Sequence, residues 1–345
     1  MKFLVRLAVA TAVTVAAIGP AAAQNVRWLT QTQQQQAQYP AEAAAIAAVT
    51  ADGFVVQRNE FQVLGLNLGD ALRLASSGAF NVVSTQIGSA AKDDAFIEGI
   101  DLIGVSTDMG ELRKAVDAYR TAFNERLEKR FGVKAMAIWP FGPQVFFCNQ
   151  PINSLADLKG LKVRSFTASM STLLTELGAA PVTLSFPEVY PALERGIASC
   201  GVTSPTSANT GKWPEVTKFL MPLSVSGSVQ AHIVNVEWFK SLPAPKREAL
   251  EKHFKDLETA LWDLAIKTNQ TAQVCSTGGE CPAGLYTAYK MTLVPVTEAD
   301  NAKVKAISQN KILGEWAGRC KNTYPECASV WNGTIGTALG VKIPN

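Results

Sequence analysis

Two hydrophobic spacings alternate along the chain from Val26 onward. Short runs such as "VRWLT" (26–30), "FVVQR" or "FQVL", and "FNVVSTQIG" (80–88) are dense in β-branched and aromatic residues and predict strands. Between them, "AEAAAIAAVTA" (41–51) and "LGDALRLASSG" (68–78) predict helices, the second stopped by Gly78. Strand-helix alternation of this kind predicts βαβ units, mostly parallel sheets and an α/β fold class.

The middle of the chain repeats the grammar with clearer punctuation. Ser154-x-x-Asp157 and Ser185-x-x-Glu188 are capping boxes, the latter with Pro187 in the first turn. Gly160, Gly178 and Gly196 close helices before the strands "LKVRSF", "PVTLS" and "IASCGVTS". This block predicts a second compact α/β lobe. After a further strand, "AHIVNVEWF", Leu250, Phe254, Leu257, Leu261 and Leu264 follow at spacings of four and three residues. The helix they predict, 246–274, runs ~43 Å at 1.5 Å per residue. One helix that long can lie along two lobes; a coiled-coil dimer helix is the alternative, so the chain is expected as a monomer with a dimer as the second option.

Composition narrows the class. The chain has 345 residues, 47% hydrophobic and 18% charged, which fits two globular lobes. Lys and Arg exceed Asp and Glu by 32 − 29 = +3, and no Lys/Arg cluster suggests a nucleic-acid partner. The opening "MKFLVRLAVATAVTVAAIGPAAAQ" has a basic start, an apolar stretch and a small-residue end, the layout of a secretory signal peptide over 1–23. A membrane anchor is the rival, disfavoured by the short apolar run and Gly19-Pro20. An exported protein is expected to hold disulfides, and there are six cysteines. The short segments "CSTGGEC" and "CKNTYPEC" suggest Cys275–Cys281 and Cys320–Cys327, which leaves Cys148 with Cys200. A zinc site is the competing idea, but no Cys-x-x-Cys occurs and the only histidines are His232 and His253.

Catalytic constellations are scarce. Neither a phosphate-binding P-loop nor a G-x-S-x-G elbow is present, and His232 reads as a strand residue and His253 as solvated. Anion recognition is better supported. In "LKGLKVRSFTAS" (158–169), Arg164 shares a strand face with Phe166 at the strand's carboxyl end, where open α/β sheets bind ligands. Ser165, Thr167, Ser169 and Ser171 then lead into a helix N-terminus, whose free N–H groups favour an anion. A guanidinium matches a carboxylate with a planar fork. The alternative partner is a structural acid such as Glu188.

The run "INSLADLKGLKVRS", followed by "LGAAPVTLSFPEVYPALERGIASCGVTS" and "KWPEVTKFL", resembles the DctP-type substrate-binding proteins of tripartite ATP-independent periplasmic (TRAP) transporters. The resemblance implies a two-lobed periplasmic-binding-protein fold, type II-like, with hinge strands and a long lobe-spanning helix. Lobe 1 would comprise 24–143 plus 227–268, and lobe 2 144–226 plus 269–345. It implies a periplasmic receptor that closes on a small organic acid and docks on membrane TRAP permease subunits, with no catalysis, cofactor or metal. Arg164 falls on the family's carboxylate-binding arginine. Thr203 or Ser204 stands where relatives often have a ligand-reaching Asn, and Gln144 stands where a second Arg is common, so the cleft is expected to be less basic than in relatives with highly anionic ligands. Cys200 stands where many relatives have Gly, which supports the Cys148–Cys200 pair. Gln86 could cap the ligand from the first lobe, and Trp139, Phe146, Phe166 and Trp213 could line the cleft. Phe186 and Tyr190 read as lobe core. The "QQQQ" run at 33–36 reads as a solvated loop, with contact to a polar ligand as the alternative. Two rival functions are a sensory protein feeding a membrane kinase and an exported enzyme.

Overall fold

The computed structural model describes residues 24–343; the signal-peptide expectation for 1–23 lies outside them. Eleven strands fall into two sheets. The first contains β1 (Gln24–Thr30), β2 (Phe54–Glu60), β3 (Val82–Gln86), β4 (Val133–Pro140) and β10 (Val229–Asn235), in the order β2-β1-β3-β10-β4. β1 pairs in parallel with β2 and β3, while β10 runs antiparallel to β3 and β4. The second contains β5 (Val145–Cys148), β6 (Lys162–Ser165), β7 (Ala180–Thr183), β8 (Cys200–Thr203), β9 (Phe219–Met221) and β11 (Thr292–Leu293), in the order β11-β9-β5-β8-β6-β7. In each sheet one strand that comes from the other side of the molecule runs against its neighbours: β10 in the first and β5 in the second. This is the two-lobed periplasmic-binding-protein arrangement, an α/β fold with a sheet in each lobe.

Two crossing segments hydrogen-bond to each other. Phe141 N donates to Ser228 O (3.2 Å), Gly142 N to Gly227 O (3.1 Å), Gln144 N to Ser226 O (2.9 Å) and Val225 N to Gln144 O (3.0 Å). Gly142 sits at φ +119°, and a Cβ there would lie 2.0 Å from Asn269 Nδ2, so only glycine fits. Asn269 belongs to the long helix Ala244–Ser276, 33 residues and therefore about 50 Å long. Its amide nitrogen donates to Phe141 O (3.2 Å) and its oxygen accepts from Thr206 N (3.1 Å), beside the second sheet. Further toward its N-terminus Trp262 Nε1 donates to Ile138 O in β4 (2.9 Å), and Phe254 stacks on Trp28 of β1 at 5.4 Å. The helix therefore runs along both lobes.

The helices between Glu298 and Leu339 lie across a segment of the first lobe. Trp316 Nε1 donates to Ala95 O (2.7 Å) and Trp331 Nε1 to Gly99 O (2.9 Å). Thr172, on the second lobe's helix Ala168–Glu176, donates to Glu315 in the same C-terminal group (2.7 Å).

Disulfides join Cys148 to Cys200, directly opposite each other on β5 and β8, and Cys275 to Cys281 at the end of the long helix. The expected Cys320–Cys327 bond is not formed: both are buried free thiols, and Cys327 Sγ donates to Ala317 O at 3.9 Å instead. Cys320 lies in the last turn of the helix Leu313–Lys321 and Cys327 opens the next helix, Cys327–Trp331.

Candidate functional site

A cavity of about 570 Å³ opens between the sheets, within the range of small-molecule sites. Arg164 stands on its second-lobe wall, delivered by β6 between β7 and β8. Only 5% of the residue is exposed. Its Nε donates to Leu184 O (3.0 Å) and its Nη1 to Val202 O (2.8 Å), and its guanidinium carbon lies 4.5 Å from the Phe166 ring centre. Those contacts fix the plane of the fork and leave Nη2 with no protein acceptor among the described residues. Glu188, the structural acid considered above, instead closes its own capping box: its Oε2 accepts from Ser185 N at 2.8 Å. Burial pushes the Arg164 guanidinium down to about 9, and Glu188, acting across the space, offsets part of that fall. Arg164 is thus a cation at neutral pH, desolvated, pre-oriented and without an ion-pair partner among the described residues.

Arg164, Phe166, Gln144, Thr203 and Gln86 all line this cavity. Gln144 and Thr203 meet because Val145, next to Gln144, is opposite Thr203 in the β5–β8 ladder. Gln86 ends β3 in the first lobe and caps the short helix after it, accepting from Ser89 N (2.6 Å).

Four aromatic or hydroxyl candidates do not reach the cavity. Ser204 is fully buried and caps the helix Pro205–Thr210, accepting from Ser207 N at 3.2 Å. Trp139 lies in the first lobe's interior, where its Nε1 donates to His232 Nδ1 (3.1 Å) while His232 Nε2 faces Glu42 (3.2 Å). Trp213 is buried behind Arg164, stacked on Phe186 at 5.4 Å. Phe146 is buried in the core. The helix N-terminus beyond Arg164 is also taken: Ser169 N donates to Glu98 Oε1 (2.8 Å), a carboxylate from the first lobe that Arg319 holds on its other oxygen (2.7 Å). The anion expected at that helix end is the protein's own.

Among the further lining residues Gln31, Phe61 and Phe141 are additions, while Gln33 and Gln36 follow the alternative reading of the glutamine run. Gln31 follows β1, and Gln33 and Gln36 of the glutamine run also reach the cavity, so the run is only partly a solvated loop. Phe61, Phe141 and Phe186 supply its apolar surface, and Phe186 thereby serves both core and cavity. A polar, low-complexity run placed directly after a buried parallel strand was the available signal for Gln31 to Gln36, because strand ends are where such sheets bind ligands.

Comparisons with known proteins bear on the family and the fold. A C4-dicarboxylate-binding periplasmic protein DctP from Rhodobacter capsulatus is 30% identical over 142 residues, 41% of this chain and 43% of that protein. A sialic acid-binding periplasmic protein SiaP from Vibrio cholerae is 30% identical over 140 residues, 40% of this chain and 41% of that protein. The chain thus spans less than half the length of these curated relatives. The structure resembles DctP7, a Bordetella pertussis extracytoplasmic solute receptor binding pyroglutamic acid, with a TM-score of 0.78 and 19% identity over 90% of this chain and 100% of that one. The family model for bacterial extracellular solute-binding protein, family 7 (DctP) matches residues 105–282, 178 of the 345. With more than half its length matched, the chain belongs to the DctP family of extracellular solute-binding proteins.

Proposed function

We propose that this protein is a periplasmic receptor for a small organic acid. The acid's carboxylate binds Arg164, the lobes close over it, and the loaded receptor delivers it to an ion-gradient-driven TRAP permease. The observation that carries the reading is the buried, unpaired guanidinium on the wall of an interlobe cavity. A desolvated cation whose fork is aimed by two backbone carbonyls is built for a planar anion, and a bidentate carboxylate would restore the partner that burial removed. Gln144 and Thr203 stand beside it as neutral helpers, and Gln86 approaches from the facing lobe. Relatives named for dicarboxylate, sialic acid and pyroglutamic acid binding all handle carboxylates. The lobes divide along the two sheets, and the paired crossings at 141–144 and 225–228 are the hinge over which closure turns.

The test is a thermal-shift screen of organic acids on wild type and Arg164→Ala. Removing one partner of a buried charge-assisted contact costs about 2 kcal/mol or more, so ligand affinity should fall at least about 30-fold while the variant folds. Equal stabilisation of both proteins by the same acid would refute the role of Arg164.

A further inference from the structure

The wall opposite Arg164 is lined by side-chain amides whose orientation is set by the backbone. Gln31 Oε1 accepts from Gln86 N (2.7 Å), Gln36 Oε1 from Gln33 N (2.9 Å), and Gln86 Oε1 from Ser89 N (2.6 Å). A backbone N–H can only donate, so the oxygen must face it and the amide's NH2 must point elsewhere. None of the three NH2 groups finds an acceptor among the described residues, yet none is sealed off from solvent as an unsatisfied buried atom. All three residues line the cavity. The first-lobe wall therefore offers neutral hydrogen-bond donors.

Its charges point the same way. Arg164 is the cavity's one cationic side chain among the described residues, and two carboxylates, Glu60 and Glu188, also line it. Glu60 is paired with Arg58 at 2.6 Å and Glu188 accepts from Ser185 N in its capping box, so each already has a partner on one oxygen. A second carboxylate on the ligand would enter without a counter-charge and close to an existing one. Beside the three amides an ammonium would face donors.

We infer that the ligand is a monoanion carrying, at the end away from its carboxylate, a neutral oxygen acceptor such as a ketone, lactam or amide carbonyl, which the NH2 groups of Gln31, Gln36 and Gln86 bind. The inference rests on Arg164 as the carboxylate anchor and specifies what the rest of that site selects.

Four acids of equal carbon number isolate the point: pentanoate, 4-oxopentanoate, glutarate and 5-aminopentanoate. Each has the same carboxylate and they differ at the far end. Calorimetric titration of the full receptor should rank 4-oxopentanoate first, about tenfold above pentanoate, with glutarate and 5-aminopentanoate no tighter than pentanoate. Gln31→Glu and Gln86→Glu keep a carboxylate oxygen for the backbone N–H, exchange the cavity-facing donor for an acceptor and add one negative charge. In each, the affinity ratio of 4-oxopentanoate to pentanoate should fall from about tenfold to about one, and because both far ends are neutral the shared carboxylate cancels the changed field at Arg164. Glutarate binding as tightly as 4-oxopentanoate, or unchanged ratios in both variants, would overturn the inference; if Arg164→Ala still abolishes binding in that case, the anchor stands. Binding of none of the acids, or binding indifferent to Arg164→Ala, would overturn the anchor itself and the inference with it.

Discussion

Arg164 combines two opposing free energies. Burial disfavours its charge, which is why its protonation falls to about 9 from the usual 12.5, and a bound carboxylate reverses that penalty. With Arg164 as the proposed anchor, ligand affinity depends on the protonated form. Since a cation whose pKa is lowered stays charged below that value, affinity should be flat between pH 6 and 8 and decline as pH rises through about 9. Calorimetry from pH 6 to 10 with an acid that stays ionised throughout measures this; a constant affinity across the whole range would show that the guanidinium never loses its proton. Arg164 was legible in the sequence because a guanidinium inside an apolar strand is anomalous wherever it sits. Trp139 and Trp213 were not, because an indole suits a cleft and a core equally. What separates them is packing against His232 and Phe186, which are distant in sequence.

At the scale of elements, the cavity's second-lobe wall includes a short four-residue ladder with a covalent pin. Gln144 immediately precedes β5 and Thr203 ends β8, and the Cys148–Cys200 disulfide pins the ladder's other end. The cysteines are 52 residues apart, a loop long enough for its closure to stabilise the fold by about 2–4 kcal/mol. Replacing both with alanine should lower unfolding free energy by that amount in urea titration. Because β9 also holds β5 in register, the folded double variant should keep its ligand affinity within a few-fold; loss of binding equal to that of Arg164→Ala would show that the bond, and not the ladder, positions the wall. The capping boxes at Ser154 and Ser185 and the glycine stops were readable as local chemistry. The helix Met109–Phe131, unassigned from sequence, had its signal too: Leu112, Ala115, Tyr119, Phe123 and Leu127 form a buried seam at spacings of three and four. The carboxylate at the N-terminus of Ala168–Glu176 had none, because Glu98 reaches Ser169 across 71 residues of chain.

Over the whole molecule, the C-terminal helices tie down the segment Ala95–Asp101, and that segment reaches the hinge. No periodicity announces such an arrangement, since it depends on which distant carbonyls the indoles of Trp316 and Trp331 meet. Asp101 ends the segment, and its carboxyl accepts from Val229 N (3.0 Å) and Gly227 N (3.4 Å) on the returning crossing. Burial pushes this carboxyl up to about 6; the backbone N–H groups of Val229, Gly227 and Ser228 pull it down, and the nearby charge of Glu98 adds to the rise. A carboxyl raised above its unfolded value of 3.8 binds more protons folded than unfolded between those two values. Its stabilising contribution is therefore complete below about pH 4 and is lost as pH rises through about 6, a change of at most about 3 kcal/mol. Other carboxylates contribute with the opposite sign: Glu188, lowered chiefly by its Ser185 contacts, stabilises the fold above its unfolded value. The effect must accordingly be read as a difference between two proteins. Asp101→Asn removes the titration at every pH but sets its NH2 against one of the two backbone N–H groups that the two oxygens accept from. It should therefore be less stable than wild type near pH 4, and that deficit should shrink or reverse toward pH 7, the change setting in around pH 6. Urea unfolding of both proteins across that range measures the gap; two parallel curves would mean that the hinge carboxyl keeps an ordinary protonation in the folded state.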